Sequence, residues 1–176
     1  MNLPEKIVAL HHALSVAELP HAFGGALALA WCTGRARGTI DIDINIFVAA
    51  DRVEAAFAAL PPGVKTGQEP RKIALRDGQV RLWWSRTPVD LFFNTTDFHV
   101  EAARRVRFET FMGERLPFLN CSDLAVFKAF FNRTQDWADL EQMVMAGTLD
   151  LTAVTARIIE MLGADDERVE KLGALA

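Results

Sequence analysis

Three aspartates are the residues best suited to chemistry. Asp41 and Asp43 lie in the run Thr39-Ile40-Asp41-Ile42-Asp43-Ile44-Asn45-Ile46-Phe47-Val48. Polar and β-branched apolar residues alternate there, the period-2 pattern of a half-buried strand. Ile40, Ile42, Ile44 and Ile46 then face one way, and Thr39, Asp41, Asp43 and Asn45 the other. Residues two apart on a strand stand roughly 6.5–7 Å apart at their Cα atoms, so both carboxylates can lean onto one divalent cation. Asp is disfavoured in strands, and two on one face mean either a solvated outer face or a ligand. Asp90 opens a separate apolar run, Val89-Asp90-Leu91-Phe92-Phe93, where an isolated buried charge is costly. It reads either as a strand-edge residue capping the loop after Pro88 or as a third ligand. Three acids on adjacent strands beside a glycine turn would make a two-metal phosphoryl-transfer site.

The glycine turn is Gly24-Gly25, between a short strand, His21-Ala22-Phe23, and an Ala/Leu-rich helix from Ala26 to about Thr33 that looks buried all round. Paired glycines there let backbone N–H groups face an anion at a helix N-terminus, although many such pairs are only tight turns. Ahead of them, Pro4 to Glu18 reads as an amphipathic helix carrying Ile7, Leu10, Leu14 and Ala17. After the Asp-rich strand, Asp51 caps a helix to Leu60. Ile73-Ala74-Leu75 and Val80-Arg81-Leu82-Trp83-Trp84 flank Arg76-Asp77-Gly78-Gln79, an Asp-Gly hairpin signal. A second hairpin turns at Met112-Gly113-Glu114. From Leu119 the pattern is helical only: Ser122 or Asp123 caps one helix, Asp136 the next, and Thr152–Leu162 and the charged tail Asp165–Leu172 follow. The reading is an α+β chain, a mixed β-sheet with flanking helices over residues 1–118 and a helical lobe over 119–176.

Two cations on this framework bear on an anionic ligand. Leu124, Phe127 and Phe131 define one helix face, with Lys128 at its edge, where it either snorkels outward or points into an interlobe cleft. Arg37 either pairs with Asp41, Asp43 or an acid of the helical lobe, or touches phosphate. Arg71, Lys72, Arg76, Arg81, Arg86, Arg104, Arg105 and Arg107 put positive charge on the middle of the chain. They read as solvated hairpin edges or as a groove for a polynucleotide. The histidines show no metal-ligand spacing.

Across 176 residues the net charge is −4, with 51% hydrophobic and 24% charged residues. That supports a sizeable core and argues against non-specific nucleic-acid coating. Cys32 and Cys121 read as reduced, buried thiols of a cytoplasmic protein. No signal-peptide pattern is seen, and the longest apolar stretch, Ala22–Cys32, is too short to span a bilayer.

Gly24-Gly25, then Arg37-Gly38-Thr39-Ile40-Asp41-Ile42-Asp43, then Asp90, resembles the polymerase-beta-like nucleotidyltransferase superfamily. The Arg-x-Thr-x-Asp-x-Asp form looks like its subgroup of toxins from abortive-infection and toxin–antitoxin systems. Ser122-Asp123-Leu124-Ala125-Val126-Phe127-Lys128, Arg133 and Asp136-Trp137-Ala138-Asp139-Leu140 are similar to that subgroup's helical lobe. The resemblance covers residues from about 21 to 145. It implies an enzyme transferring a nucleotidyl group from an NTP to a hydroxyl of RNA, tRNA or protein. Asp41, Asp43 and Asp90 would be catalytic and hold Mg²⁺ or Mn²⁺. Gly24, Gly25, Lys128 and Arg37 would bind the nucleotide. It also implies a cognate antitoxin as partner, or else a catalytically weak regulatory module. Ala26 stands where some members carry a serine, so phosphate contacts at the turn fall to the backbone.

Overall fold

The computed structural model describes residues 1–175. The chain divides into two compact units, one of Met1–Leu27 with Gly38–Leu119 and one of Ala28–Arg37 with Asn120 onward.

In the first unit a seven-stranded mixed sheet runs in the order β3-β4-β5-β2-β1-β7-β6. Its strands are β1 (His21–Phe23), β2 (Ile42–Ala49), β3 (Val64–Lys65), β4 (Gln79–Trp84), β5 (Thr87–Asn94), β6 (Arg107–Phe111) and β7 (Glu114–Phe118). Around them are α1 (Leu3–Val16), the start of α2 (Gly25–Thr33), α3 (Val53–Ala59), α4 (Gln68–Asp77) and α5 (Asp97–Arg104). β2 and β5 pair in parallel, from Ile42 opposite Val89 to Ile46 opposite Phe93. Ile42, Ile44, Ile46, Val89, Leu91 and Phe93 are all fully buried, and each such side chain contributes about 1.5–3 kcal/mol by leaving water. The alternation therefore reads true, but the strand opens at Ile42. Ile40 lies ahead of it and is 76% exposed.

The first expected hairpin is not there. Ile73-Ala74-Leu75 belongs to α4, and the Asp-Gly pair ends that helix: Gly78 takes a left-handed conformation and its N–H bonds the Ala74 carbonyl at 2.9 Å. Three apolar residues among helix formers do not make a strand when only Ala74 of them is buried. The hairpin that does form joins β4 to β5 through Ser85 and Arg86, with Trp84 opposite Thr87. The second expected hairpin forms between β6 and β7, turning through Met112 and Gly113, both at positive φ. Asp51 caps nothing; it lies in a 3₁₀ turn, Ala50–Arg52.

The second unit contains α6 (Cys121–Phe131), α7 (Thr134–Met145), α8 (Leu151–Leu162) and α9 (Glu167–Gly173). Asn120, rather than Ser122 or Asp123, caps α6 by accepting the Asp123 N–H at 2.9 Å. Asp136 sits inside the first turn of α7, where it accepts the Arg133 N–H at 3.2 Å. No helix among the described residues is long and apolar enough to cross a membrane.

The reading of two reduced thiols is overturned. Cys32 and Cys121, 89 positions apart, form a disulfide with a Cα–Cα separation of 5.5 Å. Their spacing in sequence carries no trace of this, because only the packing of Ala28–Arg37 with the start of α6 brings the two Cβ atoms within bonding range. Closing so long a loop stabilises by restricting the unfolded chain. Reduction is expected to cost about 2–4 kcal/mol, read from urea titrations with and without dithiothreitol. A thiol assay on the unreduced protein should find no free thiol, and an unchanged midpoint on reduction would count against the bond.

Candidate active site

The sheet register assembles the site. Asp43 on β2 is the register partner of Asp90 on β5, so the two side chains leave the same face, opposite the buried Ile and Val rows. Asp41 stands just ahead of β2, and Thr39 Oγ1 donates a hydrogen bond to its carboxylate. On the other side of β5, antiparallel β4 sets Arg81 opposite Asp90. The guanidinium grips that carboxylate with two parallel bonds, Nε to Oδ1 at 2.7 Å and Nη2 to Oδ2 at 2.6 Å. The same Nη2 lies 3.8 Å from Asp41 Oδ2. Arg81 holds its proton more firmly than usual. The cause is first the Asp90 hydrogen bonds, working against burial, and then the charges of Asp90, Asp41 and Asp43. The three aspartates singled out in sequence thus share one guanidinium as counter-charge.

Gly24 and Gly25 fit against Asp43. The Gly24 N–H donates to the Asp43 carbonyl at 2.9 Å, so this amide is committed to the strand edge. Gly25 has φ +51°, and a Cβ there would overlap the Asp43 carboxylate. It also opens α2, whose first-turn N–H groups have no partner within the helix. These, and not the Gly24 amide, are the donors the turn offers to an anion, and they favour negative charge beside them.

Among the described residues, no three His, Cys, Asp or Glu side chains stand close enough to share a metal ion. The carboxylates are spread around Arg81 instead. In chemistry the donor set still fits a divalent cation: hard carboxylate oxygens from two adjacent strands, spread about a positive charge that is half exposed.

Lys128 and Arg37 meet elsewhere, in the second unit. Lys128 does not snorkel; it is 5% exposed, and its Nζ lies 2.6 Å from Asp139 Oδ2 and 3.5 Å from Asp136 Oδ1. Arg37, part-exposed, reaches the same Asp139 oxygen at 3.4 Å, so of its alternative partners it takes the acid of the helical lobe. Gln135 donates to Asp139 Oδ1 at 3.0 Å. Burial acts to raise the Asp139 carboxyl, but Lys128, Gln135 and Arg37 outweigh it and hold the group below the ordinary carboxylate range.

In sequence Arg81 is one of several basic residues that read as hairpin edges or a polynucleotide groove; in the fold it is the partner of Asp90. The signal was available: with a two-residue turn at Ser85-Arg86, position 84 pairs with 87, and counting back sets 81 against 90.

A mixed sheet whose central parallel pair presents these acids beside a glycine-initiated helix is a nucleotidyltransferase-like fold. The solved structures it resembles bear this out. The crystal structure of ANT(2″)-Ia in complex with adenylyl-2″-tobramycin matches at a TM-score of 0.58 and 16% identity, with 98% of each chain covered. An antigenic nucleotidyltransferase-like protein from Paracoccidioides brasiliensis matches at 0.54 and 13% identity, over 98% of this chain and 92% of that one. No protein-family model and no curated sequence matches the chain.

The site's geometry sets two expectations. Gly25→Ala should lose more than about 1 kcal/mol in urea denaturation, and less in an Asp43→Ala background, where the overlap is gone; additive losses would disprove the contact. Arg81→Gln leaves the carboxylates without a counter-charge, so Mn²⁺ alone should raise its melting temperature more than it raises that of the wild type. Equal shifts would mean that Arg81 and cation do not compete.

Proposed function

We propose that the chain is a metal-dependent nucleotidyltransferase that moves a nucleotidyl group from an NTP to a hydroxyl acceptor of RNA or protein. One observation carries this reading: Asp41, Asp43 and Asp90 lie about a single cationic centre, with Asp43 against the first residue of α2. In the reaction the acceptor oxygen bonds to the α-phosphorus, the bond from that phosphorus to the bridging oxygen breaks, and pyrophosphate leaves. Asp41, Asp43 and Asp90 would hold Mg²⁺ or Mn²⁺, which neutralises the triphosphate and favours the attacking alkoxide.

The chain's own groups do the rest. Gly25 and the first N–H groups of α2 would orient the phosphates, and the missing Cβ of Gly25 lets the Asp43 carboxylate lie against the same turn. Asp90 would take the proton of the acceptor hydroxyl once Arg81 releases it. Arg37 is held on Asp139 through one nitrogen, and its other donors serve a phosphate. Lys128 fixes Asp139, and through it the position of Arg37.

Arg81 itself favours a second reading. A guanidinium fixed on Asp90 would leave a nucleotidyltransferase-fold module that binds nucleotide weakly and regulates a partner.

Labelled NTPs incubated one at a time with Mg²⁺ or Mn²⁺ and total RNA or protein decide between the two. Label should move to acceptor in the wild type, and Asp43→Asn should reduce this by at least about 100-fold. Melting curves give an independent readout. Mg²⁺ plus NTP should raise the wild-type midpoint through linkage, and this gain should vanish in Asp43→Asn. That variant should be no less stable than wild type in EDTA, since it removes one of three crowded charges. A wild type indifferent to metal and nucleotide, with a destabilised Asn variant, would reject catalysis.

A further inference from the structure

A cavity of about 500 Å³ opens in the first unit, lined by Lys6, Thr39, Ile40, Trp84, Arg86 and Thr87 among others. Its volume is that of a small-molecule site. Thr39 links it to the carboxylates, because its hydroxyl bonds Asp41.

The cavity's charge is unbalanced. Lys6 is 7% exposed, yet its Nζ meets only neutral acceptors, the Trp84 carbonyl at 2.9 Å and Thr87 Oγ1 at 2.8 Å. The ammonium also stands 5.6 Å from the centre of the Trp84 ring, a cation–π distance. An ammonium has three donors, so one is left over, and no carboxylate lies within ion-pairing range of it among the described residues. Lys128 shows the alternative, a buried lysine given two aspartates. A buried cation without an acid is costly, and here it lines a space large enough for a ligand. Arg86, in the β4–β5 turn, lines the same space and has no hydrogen-bond or ion-pair partner among the described residues. Ile40, 76% exposed, adds an apolar wall.

We propose that this cavity binds an anionic group of the acceptor, a phosphate or carboxylate carried on a partly apolar body. The anion sits on Lys6 and Arg86, the latter suited to a two-pronged grip on either group. The body lies against Ile40, and the acceptor's hydroxyl extends past Thr39 towards Asp41. The word acceptor rests on the transferase reading; the anion site does not.

The test is calorimetry in EDTA, where a metal-dependent nucleotide site is silent. The probes are phenyl phosphate, benzoate and uncharged benzyl alcohol. At least one anion should bind and benzyl alcohol should not; the tighter anion identifies the group. Arg86→Gln, at an exposed position that leaves the fold intact, should weaken binding about tenfold or more, and Lys6→Met should abolish it. If neither anion binds, or if Arg86→Gln binds as well as wild type, the inference is wrong. Asp43→Asn separates the two readings, since it should bind the anion like wild type. Anion binding by a wild type that transfers nothing would overturn the acceptor assignment alone. Transfer without anion binding would overturn the cavity and spare the transferase.

Discussion

Asp43 is held from three directions, and the geometry of the site follows from that. Its carbonyl accepts the Gly24 N–H, its backbone is in register with Asp90, and its carboxylate lies over Gly25. On either side of it Ile42 and Ile44 are fully buried. A slip of one residue would turn both isoleucines out to the face that now carries the acids. The hydrophobic pattern therefore fixes where the carboxylate points, and the glycine turn fixes what stands next to it.

Three carboxylates spread around one guanidinium repel one another, and in this fold the remedy is built in. Arg81 covers Asp90 with both prongs and attracts Asp41 and Asp43 at longer range. Such a pair is directional and partly desolvated, stronger than an ordinary surface contact but not permanent, since the arginine side is half exposed. The acids can therefore be neutralised from within by the protein or from without by a cation. In the second unit the balance differs. Asp139 is completely buried with Lys128 against it, and each has a second partner, Arg37 for Asp139 and Asp136 for Lys128.

Much of this was legible in the sequence where one signal had one meaning. The alternation around Asp43 has the period of a half-buried strand, and the run of Ala and Leu after the Gly pair has the composition of a helix. Legibility failed where a local signal serves two geometries. Asp77-Gly78 turns a hairpin or ends a helix with equal ease, and the flanking triplet Ile73-Ala74-Leu75 was too short to decide. Lys128 lies on a helix, as its spacing predicts, but whether a lysine there meets water or an aspartate eleven residues on depends on how α7 folds back. The Cys32–Cys121 bond and the His11–His21 hydrogen bond of 2.9 Å belong to the same class, contacts made by packing alone. Arg81 differs from these, because hairpin counting was enough to find it.

The parallel pairing of β2 with β5 also sets the order in which the molecule can assemble. An antiparallel hairpin such as β4–β5 or β6–β7 closes locally and quickly. β2 can meet β5 only after α3, β3, α4 and β4 have been traversed, and β1 meets β7 across a still longer stretch. Loop-closure entropy must be overcome before those contacts contribute, which makes such pairings slow steps. Asp43 and Asp90 face each other only across that late seam. A chain emerging from synthesis thus carries Asp43 and Asp90 apart until the centre of the sheet has closed.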